Sequence, residues 1–335
     1  MEDKKFFDPG WRDDIYNEEA LDIPLLLPRP NITNNRVWAW KRAHKSEEIF
    51  GREKKYDHPK LITAIVKKTH AHPSMKLTDD KGNDVSEDDP IWDIVNPPKA
   101  WMSDSGEELM TMFSAAKEAR GDVLVGGLGM GVYPQMALYL KKPVDSFTII
   151  DNSHDVIEIT TEAWLDCLDD NVRNKINIIE QSFEEYIKTT EKKFDTIYVD
   201  LWEDSDPRLL PYYNHLVDCL KPLCKEGGHI YIWAYALAID CFVKVIHSYE
   251  TTDIDIQKIP VPIDPLLSEY AQWRALKENE NLSIRKYEKK ARELALTFKL
   301  TDLSFDKDQY FFPHSTSTYE RQIIAQILSL AKKDK

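Results

Sequence analysis

Val123-Leu124-Val125-Gly126-Gly127-Leu128-Gly129-Met130-Gly131 is the stretch that decides how this chain is read. Three β-formers run directly into a glycine-rich turn, and a helix-compatible stretch follows from Tyr133 to Leu140. Gly127, Gly129 and Gly131 make a G-x-G-x-G pattern. Such a strand delivers a tight loop whose backbone can approach a ligand closely, with a helix N-terminus behind it. Glycines also end strands for structural reasons alone, so the weight of the motif comes from its surroundings.

Outward from that loop the chain is regular. Ser103 or Ser105 can cap a helix carrying Leu109, Met112, Phe113 and Ala116, stopped by Gly121. Strands are expected at Asp122–Gly126, Phe147–Ile150, Ile176–Ile179, Thr196–Asp200 and His229–Trp233. Between them fall helices at Tyr133–Leu140, Asp155–Leu168, Phe183–Thr189 and Arg208–Leu220. The strands are short and apolar on both faces, as in a parallel sheet covered by helices. The expectation is an α/β fold, Rossmann-like and doubly wound, with a mostly parallel sheet.

The flanks read differently. Residues 1–100 are rich in proline, asparagine and charge, with one helix-like piece from Pro59 to Thr69 that places Leu61, Ile62, Ile65 and Val66 on a face. They are expected to form an irregular extension that covers a site, ahead of a cofactor-binding domain over 101–262. A helical C-terminal region over 263–335 holds helices at Leu266–Leu276, Ile284–Phe298 and Tyr319–Ala331, an aromatic segment at Tyr310–His314, and a strand candidate, Ile254–Val261, just before it.

Composition narrows the classes. The longest apolar run, Ile230 to Ile239, suits a buried strand and its exit, and is too short to span a membrane. Met1-Glu2-Asp3-Lys4-Lys5 leads into no apolar core, so no secretory signal is expected. Cys167, Cys219, Cys224 and Cys241 show no CxxC spacing, which points to a reduced, cytoplasmic protein. His70 and His72 have no third ligand in a recognisable spacing, and no metal is expected. A net charge of −14 disfavours broad contact with nucleic acid and suits a small or cationic substrate.

The carboxyl ends of the strands supply the candidate chemistry. Asp151 ends the second strand 24 residues past Gly127, where a carboxylate can accept both ribose hydroxyls. The alternative is that it caps the next helix with Asn152 and Ser153. Gln181 and Ser182 follow the third strand and either meet an adenine, with Phe183 or Ile179 beside the ring, or cap the helix at Phe183. After the fourth strand, Asp200 and Glu203 are placed to orient a cationic amine and accept its proton. Trp202 can stack on the substrate or hold a cation over its ring.

These pieces resemble the class I S-adenosylmethionine-dependent methyltransferase superfamily, and within it the spermidine synthase-like branch. The resemblance rests on Ser103-Asp104-Ser105-Gly106-Glu107-Glu108, the glycine loop, the strand ending in Asp151, Glu180-Gln181-Ser182-Phe183-Glu184-Glu185, and Phe194-Asp195-Thr196-Ile197-Tyr198-Val199-Asp200. It covers roughly two-fifths of the chain, from about Trp101 to Trp233. It implies that Gly127, Leu128, Gly129, Gly131, Asp151, Asn152, Gln181 and Ser182 bind S-adenosylmethionine, and that Asp200, Trp202 and Glu203 face a small-molecule acceptor. A homodimer is the expectation at family level. Spermidine synthases carry an aspartate where Met130 stands, another where Gln181 stands, and two serines in the loop that here reads Asp200-Leu201-Trp202-Glu203.

Those departures favour methyl transfer over aminopropyl transfer from decarboxylated S-adenosylmethionine, the second reading. A non-catalytic binding protein on a relic scaffold is the third. A nicotinamide dehydrogenase fits less well, because Val132 stands where the dinucleotide fingerprint wants glycine or alanine.

Overall fold

A computed structural model describes residues 15–28, 37–67, 100–202, 206–251, 265–277 and 280–299. The expected strand at Ile254–Val261, the aromatic segment at Tyr310–His314, the final helix, His70, His72 and Glu203 lie outside the described residues. Two units are distinguished: Asp14–Thr190 with Phe194–Val199, and Glu191–Lys193 with the residues from Asp200 onward.

The first unit begins with a hairpin. β1 (Val37–Ile49) pairs antiparallel with β2 (Arg52–Lys67), and β2 pairs with the short β3 (Ala100–Ser103). Phe50 and Gly51 both take positive φ in the two-residue connection, which matches the twist of the flanking strands. The expected helix at Pro59–Thr69 is therefore β2, and the N-terminal region contains a long hairpin rather than only short irregular pieces. Ile62, Thr63, Ala64 and Ile65 are all buried, so two-sided burial hid the period of a strand. The β-branched side chains of Ile62, Thr63 and Ile65 fit the pleat, and pairing to β1 decides the matter.

The hairpin docks on α1 (Gly106–Lys117). Glu47 accepts the Gly106 amide at 3.0 Å, and Glu107 accepts the Phe50 amide at 2.9 Å. These carboxylates satisfy donors at a helix start and a turn. Ile49 is fully buried, and its side chain lies where a Cβ on Gly106 would sit. Ser105 holds the N-cap position but makes no side-chain capping bond, and α1 closes at Glu118 before Gly121 opens the next strand.

The α/β segment follows as β4 (Gly121–Gly126), α2 (Val132–Tyr139), β5 (Val144–Asp151), α3 (His154–Ala163), β6 (Ile176–Glu180), α4 (Phe183–Thr189) and β7 (Phe194–Val199). In the other unit come α5 (Leu210–Leu220) and β8 (Cys224–Ile232). The result is a five-stranded parallel sheet in the order β6-β5-β4-β7-β8, a Rossmann-like arrangement. Val123, Leu124, Phe147, Ile149, Ile150, Ile197 and Val199 are buried, as a sheet with both faces covered requires. The expected strands and helices stand at these places with ends moved by a few residues.

In the second unit the apolar run from Ile230 is split. β8 ends at Ile232, Ala234 turns the chain through φ 59°, and α6 (Tyr235–Thr251) begins. Ala238, Ile239, Phe242, Val245, Ile246 and Tyr249 bury one helical face of α6. α7 (Pro265–Ala275) and α8 (Ile284–Thr297) complete the unit. Asn214 donates to the carbonyls of Ala295 at 2.9 Å and Phe298 at 2.8 Å, closing the C-terminus of α8. Glu250 accepts from the Tyr270 hydroxyl at 2.7 Å and from Arg274 Nε at 3.2 Å, so its buried charge is paired.

Candidate functional site

β4 and β5 run parallel with Gly126 opposite Ile150, so the glycine loop and Asp151 emerge side by side from one edge of the sheet. Gly127 has φ 89° and donates its amide to the Ile150 carbonyl at 2.8 Å. This left-handed backbone turns the chain off the sheet, and a β-carbon would strain it. Leu128 then donates its amide to Asp151 Oδ2 at 2.8 Å, while Ser153 donates its amide to Oδ1 at 2.8 Å. One carboxylate thereby joins the loop after β4 to the start of α3.

Burial raises Asp151 above the ordinary carboxylate range, opposed by the amides of Leu128, Ser153, Gly129 and Asn152. Of the two readings of Asp151, the bond from the Ser153 amide fits a part in starting α3. The capping bond of α3 itself comes from Ser153, whose hydroxyl oxygen accepts the Val156 amide at 3.4 Å. Asp151 remains partly exposed, so a ligand hydroxyl can share its oxygens.

The rest of the loop is held from below. Thr160 donates its hydroxyl to the Gly129 carbonyl at 2.8 Å, and Gly131 donates its amide to the Leu128 carbonyl at 2.9 Å. A β-carbon on Gly131 would lie 2.7 Å from the Trp164 ring, which itself is buried. Gly126 is similarly closed, with Phe183 2.8 Å from where its Cβ would begin. Phe183 is thus packed under the strand end, 3% exposed.

Gln181 donates its backbone amide to the Asp151 carbonyl at 3.0 Å and keeps its side chain half-buried beside the same edge. Ser182 stands at the N-cap of α4 without a capping bond, and its hydroxyl donates to Glu184 at 2.9 Å. Asn152 is exposed. Gly127, Leu128, Gly129, Asp151, Asn152 and Gln181 are therefore brought together by β4, β5 and β6.

β7 ends at Val199, opposite Gly126, and the chain passes directly into Asp200, which is half-buried. Under that edge Tyr198 on β7 stacks on Tyr133 of α2, with ring centroids 3.9 Å apart and planes 5° apart. Trp202 is 6% exposed within the second unit, 4.4 Å from the Tyr213 ring centroid and edge-on to Tyr212 at 6.5 Å. Its indole Nε1 is buried without a hydrogen-bond partner among the described residues. An orphan buried donor of this kind calls for an explanation.

Glu108 is a further candidate that the sequence reading did not single out. Met102 on β3 lies 3.5 Å from where a side chain on Gly129 would begin, so β3 flanks the glycine loop. Ser103, the next residue, donates its amide to Glu108 at 2.8 Å and its hydroxyl at 3.0 Å. Burial pushes Glu108 up to about 7, partly offset by these two bonds. A carboxyl raised this far is suited to proton transfer. It stands in the first turn of α1, and its bonds to Ser103 tie that turn to the end of β3.

Among the described residues no cluster of three metal-ligating side chains occurs, and no helix is long and apolar enough to cross a membrane.

No family model matches the sequence, and no curated protein matches it. Solved structures match over about a third of the chain. A ribosomal protein L11 methylase from Lactobacillus delbrueckii is 17% identical, covering 38% of this chain and 60% of that one, with a TM-score of 0.28. TrmN from Thermus thermophilus is 16% identical, covering 37% of each chain, with a TM-score of 0.30. A SAM-dependent methyltransferase from Agrobacterium tumefaciens is 15% identical, covering 36% of this chain and 41% of that one, with a TM-score of 0.28. The chain spans less than two thirds of the length of each.

Proposed function

We propose that this protein is an S-adenosylmethionine-dependent methyltransferase acting on a small, amine-bearing or cationic acceptor. The observation that carries the reading is the carboxylate of Asp151 at the end of β5, bonded to the Leu128 amide of the neighbouring glycine loop. This pairing supports the reading because it leaves a carboxylate beside a glycine loop at the carboxyl edge of a parallel sheet, where such an acid would accept ribose hydroxyls.

Gly127, Leu128 and Gly129 would hold the amino-acid end of the cofactor, Asp151 and Asn152 the ribose, and Gln181 and Ser182 the adenine. When bound, S-adenosylmethionine supplies an electrophilic methyl group, so alignment and proton removal are left to the protein. Asp200 follows β7 in the chain, and its carboxylate would orient an amine and accept its proton at Oδ. Glu203 joins it in this role, and Trp202 offers its indole N–H as a fixed donor. The net charge of −14 favours approach of a cation.

Calorimetric titration of the purified protein with S-adenosylmethionine and with its decarboxylated form tests the reading. Saturable binding of the carboxylated cofactor supports methyl transfer. Preference for the decarboxylated form moves the assignment to aminopropyl transfer, and binding of neither removes both enzymatic readings.

A further inference from the structure

A cavity of about 390 Å3 is lined wholly by residues of the first unit, and neither a glycine-loop residue nor Asp151 is among them. Its size falls in the range of small-molecule sites. Leu21, Ile23, Leu25, Leu27 and Leu109 form apolar walls. Leu26 and Leu61, which also line it, are 43% and 58% exposed. They are two of the four large apolar side chains found exposed among the described residues, and both belong to this one cavity.

The walls are held in place. Leu26 donates its amide to Gln135 Oε1 at 2.7 Å, and Gln135 Nε2 donates back to the Leu26 carbonyl at 3.1 Å and to the Met130 carbonyl at 3.2 Å. Thr63 donates its amide to the buried carboxyl of Asp104, tying the strand wall to the start of α1. The cavity is thus a preformed feature rather than a gap under a loose segment.

One polar group there has no counterpart. Lys60 lines the cavity, and its ammonium nitrogen is buried with no hydrogen-bond partner among the described residues. The Tyr56 ring centroid is 5.7 Å away, which offers a cation–π contact but no acceptor. Asp104 feels the Lys60 charge, yet no ion pair joins them. A buried ammonium with unused donors costs several kcal/mol unless an acceptor meets it.

We propose that this cavity binds a single-chain aliphatic carboxylate, with the chain on the leucines and the carboxylate on the Lys60 ammonium. A lone lysine among aliphatic walls suits one small anionic head better than a phosphate, which recruits several cations or arginine forks. Asp104 lines the same cavity, and because burial raises it to about 6 it takes up a proton as a second carboxylate approaches, so the head group is held more tightly as pH falls.

The test is titration of the full chain with decanoate, decan-1-ol and decylamine, followed by calorimetry, on the parent protein and on Lys60→Met and Ala163→Leu. Methionine keeps the apolar stem of Lys60, and leucine at 163, another lining position, narrows the cavity while leaving Lys60 in place. Decanoate should bind saturably at one site, decan-1-ol more weakly, and decylamine not at all. Lys60→Met should weaken decanoate by about tenfold or more while changing decan-1-ol little. Ala163→Leu should weaken both. Absence of saturable decanoate binding, equal affinity for decylamine, or unchanged decanoate affinity in Lys60→Met with a native melting transition would each overturn the proposal.

Discussion

The Leu128 amide donates to Asp151 Oδ2 at 2.8 Å, so the loop after one strand is locked by the last residue of its neighbour. The bond makes Asp151 responsible both for a candidate ligand contact and for the shape of the loop around it.

Asp151→Ala should therefore destabilise the fold as well as weaken S-adenosylmethionine. Loss of a charged acceptor shared by two backbone amides is worth about 1–3 kcal/mol. Asp151→Asn keeps one acceptor oxygen and should recover part of the stability but not of the ribose binding. Urea denaturation beside calorimetry separates the two effects. Equal loss of cofactor affinity and stability across both variants would leave Asp151 as a structural residue only.

Gly126→Ala should cost about 1–3 kcal/mol, because its methyl group would sit 2.8 Å from the buried Phe183 ring. The damage is steric and has one partner. In a double-mutant cycle, Phe183→Leu should return part of the loss as a favourable coupling. Simple additivity would show that Phe183 is not the obstacle.

A pH dependence follows from Glu108 and Asp104, raised to about 7 and about 6 by burial. Each holds a proton in the folded chain where the unfolded chain has released it. Their contribution to stability is complete below the ordinary carboxylate values and is lost as pH rises through 6 and 7. Glu108→Gln, which keeps an acceptor for Ser103 and cannot ionise, should flatten that decline. The check is the urea midpoint of both proteins at several pH values between about 4 and about 8. Parallel curves would refute the assignment.

Trp202→Phe removes an indole N–H that has no hydrogen-bond partner among the described residues, while keeping a ring against Tyr213. Relief of the orphan donor and loss of ring volume oppose each other, so stability should change by less than about 1 kcal/mol. If the N–H serves the acceptor or cofactor, kcat/KM should fall by about tenfold or more with the melting temperature unchanged. Loss of stability and activity in proportion would reduce Trp202 to packing.

The α/β segment was legible because its information is local. Three β-formers before Gly126, the left-handed turn at Gly127 and the helix after Gly131 lie within one stretch of chain, and parallel strands buried on both faces read as plain apolar runs. Two-sided burial misled at Ile62 and Ile65, whose spacing with Leu61 and Val66 suits a helix until β1 lies alongside. Likewise the start of α6 at Tyr235 was concealed within an apolar run that the left-handed Ala234 divides.

What only the tertiary structure decided are the contacts between residues far apart in sequence. Sequence alone placed Asp151 at a strand end. Pairing of β4 with β5 put it on the Leu128 amide, and Met102, on the strand that pairs with β2, stands against Gly129. Trp202, expected to stack on a substrate or hold a cation, lies against Tyr212 and Tyr213 of α5, and the ammonium of Lys60 is buried, both through contacts that their own segments do not show. Local periodicity reports which faces are apolar. Which partner covers them, and therefore which polar group is left buried, depends on chain closure over long separations and is not written in any one segment.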